Sequence, residues 1–480
     1  MSASHEQPVR VAIVGAGPAG FYAAGQLLGQ RRAPVRVDLY DRLATPHGLV
    51  RAGVAPDHPK IKSVTRVYEK TAALPGFRFF GGIEVGRDLS HEELASCYHA
   101  VIYAVGTGAD RRLGIPGEDL PGSYGAAEFV AWYNGHPDFA ERRFDLSAER
   151  AVVVGNGNVA LDVARMLVLS YEELAVTDIA DHALEQLREA GVREVIVLGR
   201  RGPAQASFTN PELRELADLQ QAEAVVDPTE VELDPVSREW LERAGDATAK
   251  RNVETLADYA ARTPAGKPRR IVFRFLRSPV EIIGDRRVEG VVVERNELVV
   301  GTDGVPRARP TGVRERIDAG LVFRSIGYLG APLPGIPFDA RRGTIHNDRG
   351  RVTDPTSGLP LPGVYVAGWI KRGPSGVIGT NKRCAQESTD RLLEDLAAGL
   401  LPQPRADPDQ LIARLRARGV PVVTYAGWQA IDAHERSLGE LQGRPRVKLV
   451  RHEELLARAL GSSRQGTPAQ PPAQRAQARG

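Results

Sequence analysis

Residues 151–165 read AVVVGNGNVALDVAR. An apolar run over Ala151–Val154 leads into Gly155-x-Gly157-x-x-Ala160 and then a helix-patterned stretch, the strand–turn–helix opening of a dinucleotide-binding unit. Alanine in the third position still lets helix and strand pack closely. Residues 11–20, VAIVGAGPAG, follow the same plan: a strand over Val9–Val14, then Gly15-x-Gly17-x-x-Gly20, then an apolar-patterned helix. The glycines let the backbone turn tightly and approach a pyrophosphate. The helix N-terminus offers it free N–H groups and the positive end of a dipole. Two such units in one chain predict two bound nucleotides and a transfer between them.

The strand ends tell the two units apart. After the first, VRVDLYDR ends at Asp41, 21 residues beyond Gly20, where an acid can accept hydrogen bonds from an adenosine ribose. After the second, REVIVLGRR brings Arg200 and Arg201 to the equivalent place. An arginine pair suits the 2′-phosphate of NADP and leaves no acid for the NAD ribose. The insert SYEELAVTDIADHALEQLREAG reads as an extended helical crossover. The first site is assigned to FAD by resemblance, since many flavoproteins open with such a unit. FAD and NADP(H) together imply hydride transfer between nicotinamide C4 and flavin N5, with the protein supplying orientation and electrostatics.

A length of 480 residues suggests two to three domains at roughly 150 residues each. The 42% hydrophobic and 26% charged content is that of a globular protein. No stretch approaches the roughly 18 apolar residues of a membrane span. MSASHEQPVR has no apolar signal core, so a cytoplasmic protein is expected. Cys97 and Cys384 are too far apart for a CxxC pair and too few for a cysteine-ligated cluster, and read as inert thiols. The net charge of +3 is matched by Arg464, Arg475 and Arg479 in an acid-free tail from Ser463, so the neutral body makes no case for nucleic acid. That Pro/Gln/Ala-rich tail, 463–480, reads as disordered.

Five further segments carry a family resemblance: TPHGLVRAGVAPDHPKIK (45–62), YAVGTGADRRLGIPGED (103–119), LGRRGPAQASFTNPELREL (198–216), LVFRSIGY (321–328) and VYVAGWIKRGPSGVIGTNK (364–382). Together, in this order, they resemble the adrenodoxin-reductase type of ferredoxin–NADP+ reductases, most closely the bacterial members. The likeness runs over roughly residues 8 to 460. His47 departs from it, standing where the family pattern has Trp, near the expected flavin edge, where it would alter a stacking contact or the cofactor environment.

The resemblance implies an α/β fold of two Rossmann-like domains. A NADP domain over 109–327 is inserted in a FAD domain made of 1–108 and 328–462, and a monomer is favoured. For FAD, the family pattern falls on Gly15, Ala16, Asp41, Leu49, Val85, Trp369, Gly376, Val377 and Ile378, with Gly17 and Gly20 from the glycine motif. A helix starting near Gly376 would aim its N–H groups at the flavin pyrimidine. The alternative for Trp369 is a plain core aromatic. For NADP(H), the pattern falls on Asn156, Gly157, Asn158, Val159, Arg200, Arg201, Glu212 and again Gly376, with Arg111 a weaker candidate.

His58 and Glu212 are the candidate catalytic residues. Glu212 follows Asn210 and Pro211, which read as N-cap and first helical residue, so favour from the helix dipole alone would explain it. The resemblance instead places it near the nicotinamide carboxamide. His58, in APDHPK, is by resemblance close to the isoalloxazine, for orientation, redox tuning or proton delivery, and otherwise a polar loop residue.

The implied activity is hydride exchange between NADPH and FAD, then single-electron exchange with a ferredoxin-type iron–sulfur protein. An acidic partner calls for a basic face. Candidates are Arg200 and Arg201 with Arg214, Lys267 with Arg269 and Arg270, Arg286 with Arg287, and Lys371 with Arg372. An NADPH-oxidising subunit of a larger complex would add cysteine-rich cluster segments. A non-catalytic NADP-binding protein would have a damaged flavin site, and here both glycine loops are intact. A flavin monooxygenase shares the two loops but not the ordered segments.

Overall fold

The computed structural model describes residues 7–244 and 246–461, so the tail 463–480 lies outside the described residues. Two parallel sheets organise it. The first runs in the order Asn347–Asp348, Arg351–Thr353, Pro360–Val366, Ala100–Tyr103, Val9–Val14, Val35–Tyr40, Phe77–Gly81, Val423–Thr424. The five strands from Pro360–Val366 to Phe77–Gly81 are parallel, and the flanking short ones are antiparallel. The continuous apolar run VAIV is the reason its strand sits at the centre. Val11 and Ile13 enter one hydrophobic core while Ala12 and Val14 enter another on the opposite face, so both faces are covered.

The second sheet runs Ser123–Gly125, Leu321–Arg324, Arg150–Val154, Glu194–Leu198, Arg269–Arg274, Ala222–Val226, all parallel. Ala151 and Val153 face its helices. Val152 and Val154 face a three-stranded antiparallel sheet, Arg277–Ile283, Gly290–Val300 and Pro306–Asp318, through Ile282, Val291, Val293 and Ile317. The glycine loops gave no hint of this second layer. The chain passes between the large sheets twice, and the two passages lie side by side: Ala109–Asp110 pairs antiparallel with Tyr328–Leu329.

The crossover begins with the helix Asn158–Val168, and the insert adds two more, Tyr171–Ala175 and Asp181–Arg188. The late helix corrects the expectation of a start near Gly376. It spans Thr380–Ala397 with Gly379 as its cap, because Gly373 and Gly376 take φ of +86° and +78°, a left-handed conformation that a right-handed helix cannot contain. This helix packs along Pro18–Gly29, where Gln26 Nε2 donates to the Lys382 carbonyl at 3.0 Å. Cys97 and Cys384 are both buried.

Candidate functional site: two nucleotide cradles and the polar cluster between them

The first cradle begins at Gly15, whose φ is +109° and where a Cβ would overlap the Ala104 carbonyl. At Gly17 a Cβ would meet only Gly48 Cα, 3.9 Å away, so the turn is open in front. At Gly20 a Cβ would strike the Gly15 carbonyl, which is why helix and loop can touch. The helix Pro18–Gly29 starts with no side-chain cap and no acid in its first turn. Its positive end is thus free for a phosphate. Asp41 fixes the loop: Oδ2 accepts from the Ala16 amide at 2.8 Å and Oδ1 from the Leu43 amide at 2.9 Å. Burial nevertheless pushes its carboxyl upward, against those two amides.

Around this loop the chain gathers most of the residues expected to hold FAD. Gly48 packs on Gly17 just before the half-exposed Leu49. Val85 follows the turn in which the Ile83 amide donates to the Asp41 carbonyl at 3.0 Å. Gly368 has φ +81° and sits so close to Ala19 that a Cβ would come within 2.7 Å of it. Trp369 follows, with Nε1 buried and without a hydrogen-bond partner among the described residues. Gly376 and Val377 are exposed, and Ile378 packs against the core that contains Ala16 and Ala19.

The ring of His47 is turned into the core. Phe21, Tyr68 and Trp428 surround it at centroid distances of 5.4, 5.6 and 5.4 Å. Burial, with nearby Arg51 and Arg446, lowers its pKa to about 3. Its φ is +86°, and its amide donates to the Ala16 carbonyl at 2.7 Å. His47 thus shapes the glycine loop through its backbone.

The second cradle repeats the design. Gly155 has φ +127°, and a Cβ there would overlap the Ser325 carbonyl, while one at Gly157 would meet nothing within 4 Å. The helix Asn158–Val168 again starts with no side-chain cap and no first-turn acid, Val159 being its second residue. The Asn156 carbonyl accepts from the Ser207 amide at 2.9 Å, and Asn158 Oδ1 from the Thr209 amide at 2.7 Å. These bonds tie the glycine loop to the helix Asn210–Arg214, which carries Glu212. The expected N-cap is off by one residue. Thr209 occupies the cap, and Asn210 sends its side chain to Asn252 and Thr255 at 3.2 and 3.0 Å. Arg200 is exposed and Arg201 half-buried at the strand end. Arg111 lies on the paired passage, its amide donating to Gly327 at 3.0 Å.

Between the cradles, residues from both halves converge. His58 Nε2 lies 2.8 Å from Glu215 Oε2 and 3.4 Å from Glu212 Oε2. Beside it, Arg165 grips Asp57 with two bonds, 2.7 and 3.0 Å, and reaches Asp162 at 2.8 Å. Arg165 is 2% exposed and its Nη1 stands 3.7 Å from Glu212 Oε2. Both of these last atoms are buried without a hydrogen-bond partner among the described residues. Burial and then the Asp162 charge raise the Glu212 carboxyl to about 7, against His58 and Arg165. Burial would lower the His58 pKa, but the Glu215 hydrogen bond and the Asp57 and Asp162 charges carry it upward. The same bond holds Glu215 low, and Arg165 holds Asp57 low in spite of burial.

A sequence profile described as pyridine nucleotide-disulphide oxidoreductase matches residues 9–202. NADPH-ferredoxin reductase FprA of Mycobacterium leprae is 54% identical over 452 residues, 93% of this chain and 97% of that protein. The chain belongs to the FprA family of flavoprotein oxidoreductases. The mitochondrial NADPH:adrenodoxin oxidoreductase of Arabidopsis thaliana is 42% identical over 470 residues, 95% of this chain and 97% of that protein. The solved structure of Mycobacterium tuberculosis FprA in complex with NADPH superposes with a TM-score of 0.89 at 51% identity, covering 95% of this chain and all of that one. In keeping with its family, the chain is an enzyme with the two-domain α/β dinucleotide-binding fold, and its cofactors are FAD and NADP(H).

The cluster contains residues that a local reading of the sequence does not single out. Asp162 and Arg165 look like ordinary polar positions of an amphipathic helix. Only the approach of Asp57 from the other half of the chain makes them part of a site. The basic clusters expected to form a docking face are mostly engaged locally. Lys371 is buried and bonds Glu387 at 2.6 Å, Arg269 donates to the Val168 and Leu169 carbonyls, Arg270 pairs with Glu194, and Arg287 with Asp145.

Proposed function

We propose that the chain is an FAD-containing NADPH–ferredoxin reductase whose two cradles hold the nucleotides on either side of the Asp57–His58 loop. The observation that carries this reading is the polar cluster itself, in which Asp57 and His58 from the first half meet Asp162, Arg165, Glu212 and Glu215 from the second. FAD, when bound, takes or gives hydride at N5 and exchanges electrons singly with a ferredoxin-type iron–sulfur partner.

The chain's own residues bind, orient and set charge. The Gly15–Gly20 and Gly155–Ala160 turns take the two pyrophosphates on uncapped helix ends. Asp41 holds the first loop and faces the adenosine ribose. Leu49, Val85, Trp369 and Gly376–Ile378 wall the flavin. Asn156, Asn158 and Val159 shape the second cradle, and Arg200 and Arg201 clasp the 2′-phosphate. Glu212 Oε2 and Arg165 Nη1, neither with a hydrogen-bond partner among the described residues, offer an acceptor and a donor side by side. A carboxamide, with one donor and one acceptor end, fits such a pair. Glu215 holds His58 and favours its protonated form beside the hydride path.

Among the described residues no helix is long and apolar enough to cross a membrane. The reading includes a cytoplasmic monomer with an acidic ferredoxin as partner. Anaerobic stopped-flow with NADPH followed by oxidised ferredoxin tests it. Rapid bleaching of bound flavin, then salt-sensitive one-electron reduction of ferredoxin, is expected. Bleaching without transfer would remove the partner, and absence of bound flavin would remove the whole reading.

A further inference from the structure

Each of the three consecutive carbonyls of the arginine turn has a donor. The Gly199 carbonyl accepts from the Arg277 amide at 3.0 Å, and the Arg201 carbonyl from the Leu276 amide at 3.2 Å. The Arg200 carbonyl between them accepts from the side chain of Asn296, Nδ2 at 2.8 Å. Two of these donors are backbone groups that almost any residue supplies. Asn296 is the one side chain of the three.

Asn296 is built into its place. It is 3% exposed and sits where the central strand of the antiparallel sheet slips register, between Glu294 and Asn296. Its amide donates to the Leu276 carbonyl at 2.8 Å, and Leu276 has φ +54°. The same Nδ2 donates to Ser278 Oγ at 2.8 Å, while Oδ1 has no hydrogen-bond partner among the described residues. An unpaired buried oxygen is unfavourable. An apolar side chain would avoid it, so what distinguishes asparagine here is its donor. On its other side the turn lies against the glycine loop: a Cβ at Gly199 would come within 2.8 Å of Asn156 Nδ2 and 3.0 Å of Phe275. The exposed guanidinium of Arg200 thus stands on a peptide fixed from both sides.

We propose that Asn296 is a positioning residue for nucleotide choice: through the Arg200 carbonyl it holds the arginine turn in the orientation that selects the 2′-phosphate of NADPH over the 2′-hydroxyl of NADH. The antiparallel sheet is then part of the coenzyme-specificity apparatus as well as a cover for the second core. This inference rests on the reading of Arg200 as a 2′-phosphate ligand. It touches neither the flavin cradle nor the cluster at His58.

The test uses the FAD-loaded enzyme with ferricyanide as acceptor, and compares kcat and KM for NADPH and for NADH. Asn296→Leu removes the donor and keeps the branching at Cγ. Asn296→Ser keeps a hydroxyl one bond too short to reach the Arg200 carbonyl and serves if the leucine variant fails to fold. Each is also made in an Arg200→Ala background. The expected result is a rise of about tenfold in KM for NADPH, with kcat held within about twofold and both NADH constants unchanged. In the Arg200→Ala background the Asn296 substitutions add nothing further. Equal losses with both coenzymes, unchanged constants, or the full tenfold loss persisting without Arg200 would overturn the role of Asn296. If Arg200→Ala alone leaves the NADPH/NADH ratio of kcat/KM unchanged, the phosphate-ligand reading has failed and the inference falls with it.

Discussion

Arg165→Met removes the guanidinium that pairs with Asp57 and Asp162 and faces Glu212. Arg165 is buried and bonds Asp57 at 2.7 and 3.0 Å and Asp162 at 2.8 Å. Taking one partner from a buried ion pair leaves uncompensated charge and costs about 3–5 kcal/mol. For a domain of this size each kcal/mol lowers Tm by roughly 2–4 °C, so a drop of roughly 6–20 °C follows. The pH dependence separates charge from packing. In the wild type Arg165 holds Asp57 below its ordinary value, while burial already keeps Asp162 and Glu212 above theirs. Without Arg165 all three carboxyls move up. A carboxyl whose folded pKa exceeds its unfolded one costs nothing where both states are protonated. The cost grows as pH rises from the unfolded value to the folded one. The deficit of Arg165→Met is therefore largest near pH 8 and shrinks toward about pH 5.5, as neutral carboxyls replace buried anions. Thermal melts followed by flavin fluorescence at the two pH values read this directly. A deficit equal at both, or larger in acid, would show that the loss is the packing of the arginine stem and refute the charge argument. As a control, Asp57→Asn combined with Arg165→Met costs less than the sum of the singles, since the two are in contact.

Gly15→Ala forces a side chain onto the Ala104 carbonyl at φ +109°, so the purified protein carries little FAD, read from its absorbance ratio. Gly157→Ala, at a negative φ with nothing within 4 Å, keeps its FAD and its Tm but shows a raised KM for NADPH, because the added methyl stands where the pyrophosphate approaches. Arg200→Ala with Arg201→Ala lowers the NADPH/NADH ratio of kcat/KM by about tenfold or more, an unchanged ratio arguing against the 2′-phosphate assignment. His47, held neutral with a pKa of about 3, costs stability as pH falls below about 6.5, where the unfolded chain takes up the proton: about 2 kcal/mol by pH 5. His47→Phe should lose less stability than wild type between neutral pH and pH 5, and identical acid titrations of Tm would contradict the buried neutral ring.

Much of the fold could be read locally because its signals are local. VAIVGAGPAG and AVVVGNGNVA each contain a strand, a turn and a helix start within ten residues, and both form where the pattern puts them. The antiparallel sheet that covers Val152 and Val154 escaped notice for a physical reason. Pro306–Asp318 is an exposed, charged edge strand whose outward residues carry no alternation that points inward. Its role appears only when Ile317 and Val293 are seen against the second sheet. The start of the late helix is not legible in the sequence because glycine signals a turn without stating its hand, and only φ at Gly373 and Gly376 decides it.

The site divides along the same line between local and distant information. Glycine loops, strand-end charges and a helix-start glutamate are recognisable because binding a dinucleotide imposes a spacing on them. The cluster obeys no spacing. His58 meets Glu215 across 157 positions and Asp57 meets Arg165 across 108. Each of these residues has an adequate ordinary explanation in its own segment: a loop histidine, a helix-face arginine, a first-turn acid. What converts them into a site is burial. Removed from water, the carboxyls of Asp57 and Glu212 and the imidazole of His58 take pKa values set by one another. Under the proposed function, charges held out of reach of solvent are preorganised beside the path of the hydride. Arg165 is the hinge of the argument. It is the least suggestive of the six in sequence and the one whose removal unbalances all the rest.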